Sequence, residues 1–260
     1  MTETLQTFIT NRHGLKIAVQ VNQPDQTKGL IFLAHGWKGS RASTTIRTLS
    51  EQTRKLGLTT VTYDCTHSTG QSDGQVPQST ITSFVHDLED VVSWARTQEW
   101  FQSPYSLVGS SMGGISVLEH ARRHTKDIKA IAPLATLVSG ALSIEARQRH
   151  DSQSLTVWQE TGFEAQTHFN GTDMIPWSHM EDRLLYNALD YASELTMPVF
   201  LCVGTEDTSC PPDHQALLFE ALGSTDKTFH QIDGAPHNMQ DPVHYQKRAE
   251  LFAEWLTRVA

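Results

Sequence analysis

Residues 105–114 read YSLVGSSMGG. The first half is a short, largely apolar run, and residues 115–123 beyond it carry a weak helical periodicity. The glycine-bearing link between them contains two adjacent serines, and spacing separates their roles. Gly109 and Gly113 stand two positions either side of Ser111, which gives GxSxG, whereas Ser110 has Val108 and Met112 at those places. A strand that turns sharply into a helix needs small residues there, and the turn lifts the central side chain above the sheet edge. The helix that follows directs its amino-terminal N–H groups and positive dipole end toward negative charge developing nearby. Ser111 is therefore the candidate nucleophile, with a tight packing turn as the alternative, and Ser110 is a small residue of the turn.

Working outward, similar short runs recur along the chain. Residues 15–21 (LKIAVQV) alternate and pair with the run around Phe8; further strand candidates are residues 29–36, 58–64, 105–110, 128–135, 198–204 and 227–233, several of them almost uniformly apolar. Such runs suit parallel strands covered on both faces. Between them lie helical segments at residues 44–55, 79–100, 115–123, 214–222 and 244–256. In residues 79–100, Ile81, Phe84, Val85, Leu88, Val91, Val92 and Ala95 form one broad face, with Asp87, Glu89 and Asp90 away from it. Strands alternating with helices of this length predict an α/β fold with a mostly parallel twisted sheet flanked by helices.

Residues 136–193 break this rhythm. They contain a helical pattern at residues 141–149, no clear strand, and scattered aromatics: Trp158, Phe163, Phe169, Trp177 and Tyr186. A structureless loop of this length is unusual, so a small folded insertion is expected. It starts at the carboxyl edge of the sheet, where open α/β sheets bind ligands, which makes it a cap over a site or a packing decoration. The expectation is one domain over residues 1–260 with a cap at about 136–193. Trp158, Phe163, Phe169 and Trp177 either line an apolar acyl pocket or fill the core of the insertion.

A serine hydroxyl needs a base, and the base needs an orienting acid. Asp207 lies three residues beyond Gly204, on the loop after residues 198–204, with Glu206 as its neighbouring competitor. His237 lies in the loop after the last strand, within residues 233–242 (DGAPHNMQDP). Most of the other histidines fall on helices, in the insertion or near the termini. Ser111, Asp207 and His237 thus follow one another as nucleophile, acid and histidine, each just after a strand. Two N–H donors should hold an oxyanion: those of Met112, next to the nucleophile, and Trp37, in the loop after residues 29–36. His35 in that loop is assigned to structural support.

Composition narrows the classes of function. The 260-residue chain is 38% hydrophobic, enough for a sizeable core. Its 20 basic and 29 acidic residues leave a net charge of −9, with no basic cluster suited to a phosphate backbone, so nucleic-acid binding is not expected. The same charge gives a weak bias against highly anionic substrates. Residues 1–8 lack a signal-peptide pattern, no apolar run approaches membrane-spanning length, and the three cysteines (Cys65, Cys202, Cys210) form no CxxC pair. A cytoplasmic protein with reduced thiols and no membrane insertion is expected. The absence of GxGxxG after the first strands argues against a dinucleotide-binding dehydrogenase.

The segments LAHGWKGS (33–40), YDCTHSTGQSDG (63–74), LVGSSMGG (107–114), VGTEDTSCPP (203–212) and GAPHNM (234–239) together resemble an α/β-hydrolase over nearly the whole chain. The resemblance is strongest to compact bacterial carboxylesterases of the cinnamoyl and feruloyl esterase type. It is weaker to monoacylglycerol lipases and the serine aminopeptidase-like group. It implies a Ser111–Asp207–His237 triad, an oxyanion hole from the Trp37 and Met112 N–H groups, a short cap after residues 128–135 and a small-molecule ester as partner, with no cofactor and no metal. The segment Asp64–Cys65–Thr66–His67–Ser68–Thr69–Gly70 departs from the family pattern, which often has arginine or asparagine after the aspartate, and leaves one pocket wall open. Ester hydrolysis is the expected activity. Amide or peptide hydrolysis is the alternative and would need acidic residues to hold an amine, for which Glu145, Glu160, Glu164, Asp173 and Glu181 in the insertion are candidates. A non-catalytic binding protein on the same fold is a third reading.

Overall fold

The computed structural model describes residues 2–168 and 171–259. The chain opens with an antiparallel hairpin, β1 (Thr2–Thr10) and β2 (Lys16–Pro24), in which Phe8 faces Ala18. It continues through β3 (Leu30–Ala34), α1 (Thr44–Lys55), β4 (Thr59–Tyr63), α2 (Ile81–Ala95), β5 (Tyr105–Ser110), α3 (Met112–Arg123) and β6 (Ile128–Leu134). A long excursion follows: α4 (Gly140–Thr161), a second hairpin of β7 (Phe163–His168) and β8 (Gly171–Pro176), and α5 (Ser178–Arg183). The chain then returns through β9 (Val199–Gly204), α6 (Pro212–Ala221), β10 (Lys227–Ile232) and α7 (Pro242–Val259).

Eight strands form one sheet in the order β1-β2-β4-β3-β5-β6-β9-β10. From β4 onward neighbouring strands are parallel. Every residue of β3, β4 and β9 is buried, because helices cover both faces. Strand alternation divides the core in two. Phe32, Leu107, Ile131 and Leu201 point to the face covered by α2 and α3; Ile31, Leu33, Val108 and Phe200 meet Ile46 and Leu49 of α1 and Phe252, Trp255 and Leu256 of α7. From β3 the sheet grows outward in both directions, through β4 on one side and β5 on the other. Such a reversal opens a crevice at the carboxyl ends of the central strands.

Two local expectations are corrected. Asp87 lies on the inward side of α2 and is buried, where it accepts hydrogen bonds from Asn11 Nδ2 (3.0 Å), Thr66 N (2.6 Å) and Thr66 Oγ1 (2.7 Å). A carboxylate can join an apolar helix face when so many donors replace water. Residues 136–193 do contain strands, the antiparallel pair β7–β8. Their sequences, FEAQTH and GTDMIP, hide from an apolar-periodicity reading because the hairpin is held largely by polar contacts, such as Lys38 to Gln166 and Arg147 to Glu164, and needs little apolar surface. Ile175 is buried, while Phe163 and Met174 are exposed. Phe169 lies outside the described residues.

Candidate active site

Ser111 stands between the last residue of β5 and the first of α3, with φ 56° and ψ −117°. A positive φ is unusual for a residue with a Cβ, and here the neighbours enforce it. Ser111 N–H donates to Leu134 O (3.0 Å) and Ser111 O accepts from Gly114 N–H (2.9 Å). The flanking glycines are demanded by contact: a methyl group at Gly113 would sit 2.4 Å from His35 O, and one at Gly109 would sit 2.1 Å from Gly113 O. Ser110 remains in β5, paired with Leu134.

The loops after β9 and β10 bring the other two side chains to Ser111. His237 Nδ1 lies 2.7 Å from Asp207 Oδ2, and His237 Nε2 lies 3.1 Å from Ser111 Oγ. A carboxylate only accepts, so the proton of the neutral imidazole is on Nδ1, and Nε2 accepts from the Ser111 hydroxyl. Asp207 Oδ1 accepts from the N–H groups of Ser209 (2.9 Å) and Cys210 (2.8 Å), which holds the carboxylate in place. Asp207 is buried and Glu206 is exposed, so only Asp207 reaches the histidine. The chain Asp207–His237–Ser111 can draw a proton from a hydroxyl and return it to a leaving group.

The loop after β3 forms the facing wall. His35 is buried; its Nδ1–H donates to Gly36 O (2.7 Å) and its Nε2 accepts from Cys65 N–H (2.9 Å). Both ring nitrogens are committed, and burial lowers its pKa, so it is a neutral strut between two loops. Trp37 and Met112 both line the cavity at Ser111. Met112 is the first residue of α3, where a backbone N–H has no carbonyl one turn back in the helix. The segment 63–74, expected to form a pocket wall, instead braces the β3–α1 loop from behind. Thr69 Oγ1 bonds Lys38 O and Gly39 O (both 3.1 Å), and Asp64 accepts from Arg41 N (2.7 Å), Arg41 Nη1 (2.9 Å) and Gln71 N (2.8 Å). None of its residues lines the cavity.

The cavity above Ser111 has a volume of about 890 Å³. Its far wall comes from α4, β7 and α5, through Ser143, Arg147, His150, Asp151, Trp158, Gln166, Thr167, Met180 and Arg183. Trp158 is buried, and its Nε1–H donates to Ile175 O (2.9 Å), which ties α4 to β8. Trp177 packs edge-on against Trp158 (5.7 Å between ring centres), so it fills the core of the segment; Phe163 faces solvent. His179 stacks on Trp37 (4.5 Å) and donates from Nδ1 to Ser79 O (2.7 Å), fastening α5 to the start of α2. Burial pushes the His179 pKa down to about 3, so the ring is neutral.

Sequence reasoning missed the cations of this cavity, Lys38, Arg147 and Arg183. It looked to the acidic residues of the insertion, and none of Glu145, Glu160, Glu164, Asp173 and Glu181 lines the cavity. Glu145 bonds Arg149 (3.1 Å), Glu164 pairs with Arg147, and Glu160 and Glu181 are exposed. An isolated basic residue on a helix carries no periodic signal that separates a cavity wall from a solvated face.

An elbow serine after a central parallel strand, with histidine and aspartate delivered by later strand ends of one sheet, defines a hydrolase of the α/β-hydrolase superfamily. Residues 13–182 match the model of the X-Pro dipeptidyl-peptidase (S15) family, and the chain belongs to that family. Residues 177–241 match the serine aminopeptidase (S33) model. Among characterised relatives, the chain is 27% identical to monoglyceride lipase of Rattus norvegicus, over 88% of this chain and 82% of that protein. Its fold is similar to that of Est1E from Butyrivibrio proteoclasticus, solved with ferulic acid bound (TM-score 0.82, 20% identity, 97% of this chain and 98% of that one). It is also similar to alpha/beta hydrolase domain-containing protein 10 from mouse (TM-score 0.80, 18% identity, 98% and 100%). No helix among the described residues is long and apolar enough to cross a membrane.

Proposed function

We propose that the protein is a serine carboxylic ester hydrolase that works through an acyl-enzyme on a small or medium ester. The observation that carries this reading is the hydrogen-bonded chain from Asp207 through His237 to Ser111, 2.7 and 3.1 Å long, opening into a cavity of about 890 Å³. Ser111 Oγ attacks the ester carbonyl as His237 Nε2 takes its proton, and Asp207 holds the ring and stabilises the imidazolium. The N–H groups of Trp37 and Met112 hold the oxyanion. His237 then protonates the departing alcohol. In the second half, water gives a proton to His237 and attacks the acyl carbonyl, Ser111 leaves with its proton restored, and the acid is released. The segment from α4 to α5 serves as a cap that contributes the acyl or alcohol pocket, with the buried Trp158 as an aromatic wall.

The family assignment brings peptide hydrolysis forward as a second reading, because the same groups cleave amides. The cavity weighs against it: a peptide amino terminus calls for carboxylates, and among the described residues the lining holds Lys38, Arg147 and Arg183 against the single carboxylate of Asp151. The test is a serine-directed organophosphonate together with a panel of 4-nitrophenyl esters and aminoacyl anilides. Labelling is expected in the wild type and in Ser110→Ala and absent in Ser111→Ala, with ester turnover lost by about 10⁴-fold or more in the latter. Full turnover by Ser111→Ala would overturn the mechanism, and a preference for anilides would overturn the ester assignment.

A further inference from the structure

Two of the cavity's cations, Arg183 and Lys38, form no direct ion pair among the described residues, and carboxylates reach them only from a distance: Glu164 and Asp173 act on Lys38, and Asp182 and Glu164 on Arg183. Arg147 is neutralised by Glu164. Arg183 donates from Nη1 to Ser143 Oγ (2.8 Å) and from Nη2 to His179 Nε2 (2.8 Å), both neutral acceptors, and forms no ion pair among the described residues. His179 cannot supply charge, because its other nitrogen already donates to Ser79 O. Lys38 donates to Gln166 Oε1 (3.0 Å) and lies 4.4 Å from the centre of the Trp37 ring, again without an ion pair among the described residues. Burial lowers the pKa of both groups, that of Arg183 to about 10, which leaves the guanidinium charged at neutral pH. Arg183, on the far wall, is within electrostatic reach of Cys210, which lines the same cavity as Ser111.

Desolvated cations are costly to hold unless an anion meets them. Among the described residues Asp151 is the only carboxylate that lines the cavity, and Asp207 is occupied behind His237. The chain as a whole has a net charge of −9, so the positive field is local and opposite in sign to the bulk of the protein. The bias against anionic substrates read from net charge does not hold at the site, because field inside a concave, low-dielectric pocket follows the charges that line it.

We infer that the ester taken by this cavity carries an anionic oxygen group, a carboxylate or a phosphate, which Arg183 and Lys38 hold while the ester carbonyl lies at Ser111. This rests on the serine hydrolase reading and narrows its substrate class. A guanidinium fork and a compact ammonium suit an oxygen anion, whereas a plain alkyl ester would leave both cations without a direct ion pair.

The test uses charge-matched pairs. On the acyl side, the mono-4-nitrophenyl ester of glutarate and 4-nitrophenyl 4-phosphonobutyrate are compared with 4-nitrophenyl pentanoate. On the alcohol side, the butyrate ester of 4-hydroxybenzoate is compared with that of 4-hydroxybenzamide. One charged ester should exceed its neutral partner by about tenfold or more in kcat/KM, mainly through KM, with the ratio falling as salt rises. Arg183→Gln and Lys38→Gln should each shrink that ratio, and Arg183→Lys should restore part of it. A larger ratio for the phosphonate than for the glutarate ester assigns the group as phosphate. Neutral esters cleaved through Ser111 with no charged preference in either pair would overturn the inference and leave the hydrolase reading standing. A ratio unchanged in both Gln variants would overturn the assignment to these residues; if Arg183→Gln fails to fold, Lys38→Gln and the salt dependence decide. Calorimetric titration of Ser111→Ala with methyl hydrogen glutarate against methyl butyrate tests the inference without turnover: tighter binding of the anion is expected, and equal binding would sink it.

Discussion

At the scale of single residues, the site depends on which of two adjacent groups faces inward. Ser110 and Ser111 share chemistry, yet only Ser111 sits on the positive-φ turn within 3.1 Å of His237 Nε2. Glu206 and Asp207 are both carboxylates, yet Asp207 alone is buried against the imidazole. Replacing Asp207 with Asn removes the acceptor that fixes the Nδ1–H tautomer while keeping size. Asp207→Asn is therefore expected to lower kcat by roughly 10³ to 10⁴-fold, in proportion to losses seen when an orienting acid is removed. Glu206→Gln should leave kcat unchanged. Steady-state hydrolysis of one activated ester by both variants checks this, and equal effects would exclude Asp207 as the orienting acid.

At the scale of elements, the site depends on how closely α3 approaches β3. Gly113 packs against the β3 carboxyl end so tightly that a methyl group would lie 2.5 Å from Ala34 O, and backbone cannot move aside cheaply. Gly113→Ala should cost roughly 3 kcal/mol of stability, as overpacking of a filled space does. Gly162 ends α4 with φ 78° and has nothing within 4 Å of an added methyl, so Gly162→Ala should cost only about 1 kcal/mol, from the left-handed backbone alone. Urea unfolding of both variants separates contact from conformation; similar losses would contradict the close approach.

At the scale of the whole molecule, buried neutral histidines set the response to acid. Burial holds His120 at about 3 and His179 at about 3, far below the ordinary value near 6.5. A histidine with a depressed folded pKa contributes stability that is fully present above the unfolded value and is lost as pH falls toward the folded one. Each should remove about 1.4 kcal/mol of stability per pH unit between about pH 6.5 and 3. Asp87, whose pKa is raised by burial, works in the opposite sense, but only between its unfolded value near 3.8 and its raised one. Chemical denaturation from pH 7 down to pH 5 should therefore show falling stability. His120→Gln should lessen the slope by about one proton, and an unchanged slope would contradict the neutral buried state of His120.

The three residues of the hydrogen-bonded chain were legible in sequence because each follows a strand in a fixed order, those before Ser111 and Asp207 strongly apolar, and a parallel sheet brings the carboxyl ends of its strands to one edge. The strands and the main helices were legible for the same reason: burial on both faces writes a dense apolar pattern that local reading detects. Asp87 was misread because periodicity registers polarity and cannot see the donors of Asn11 and Thr66 that make burial of a carboxylate tolerable. The hairpin β7–β8 escaped because it buries little beyond Ile175. By itself, then, the sequence determined the sheet, the elbow and the order of serine, aspartate and histidine, since these depend on apolar burial and on short-range turn geometry. Only the tertiary structure decided that Lys38 and Arg183, far apart in the chain, face one cavity with no direct ion pair among the described residues, because a side chain's electrostatic surroundings are set by which distant segments fold against it.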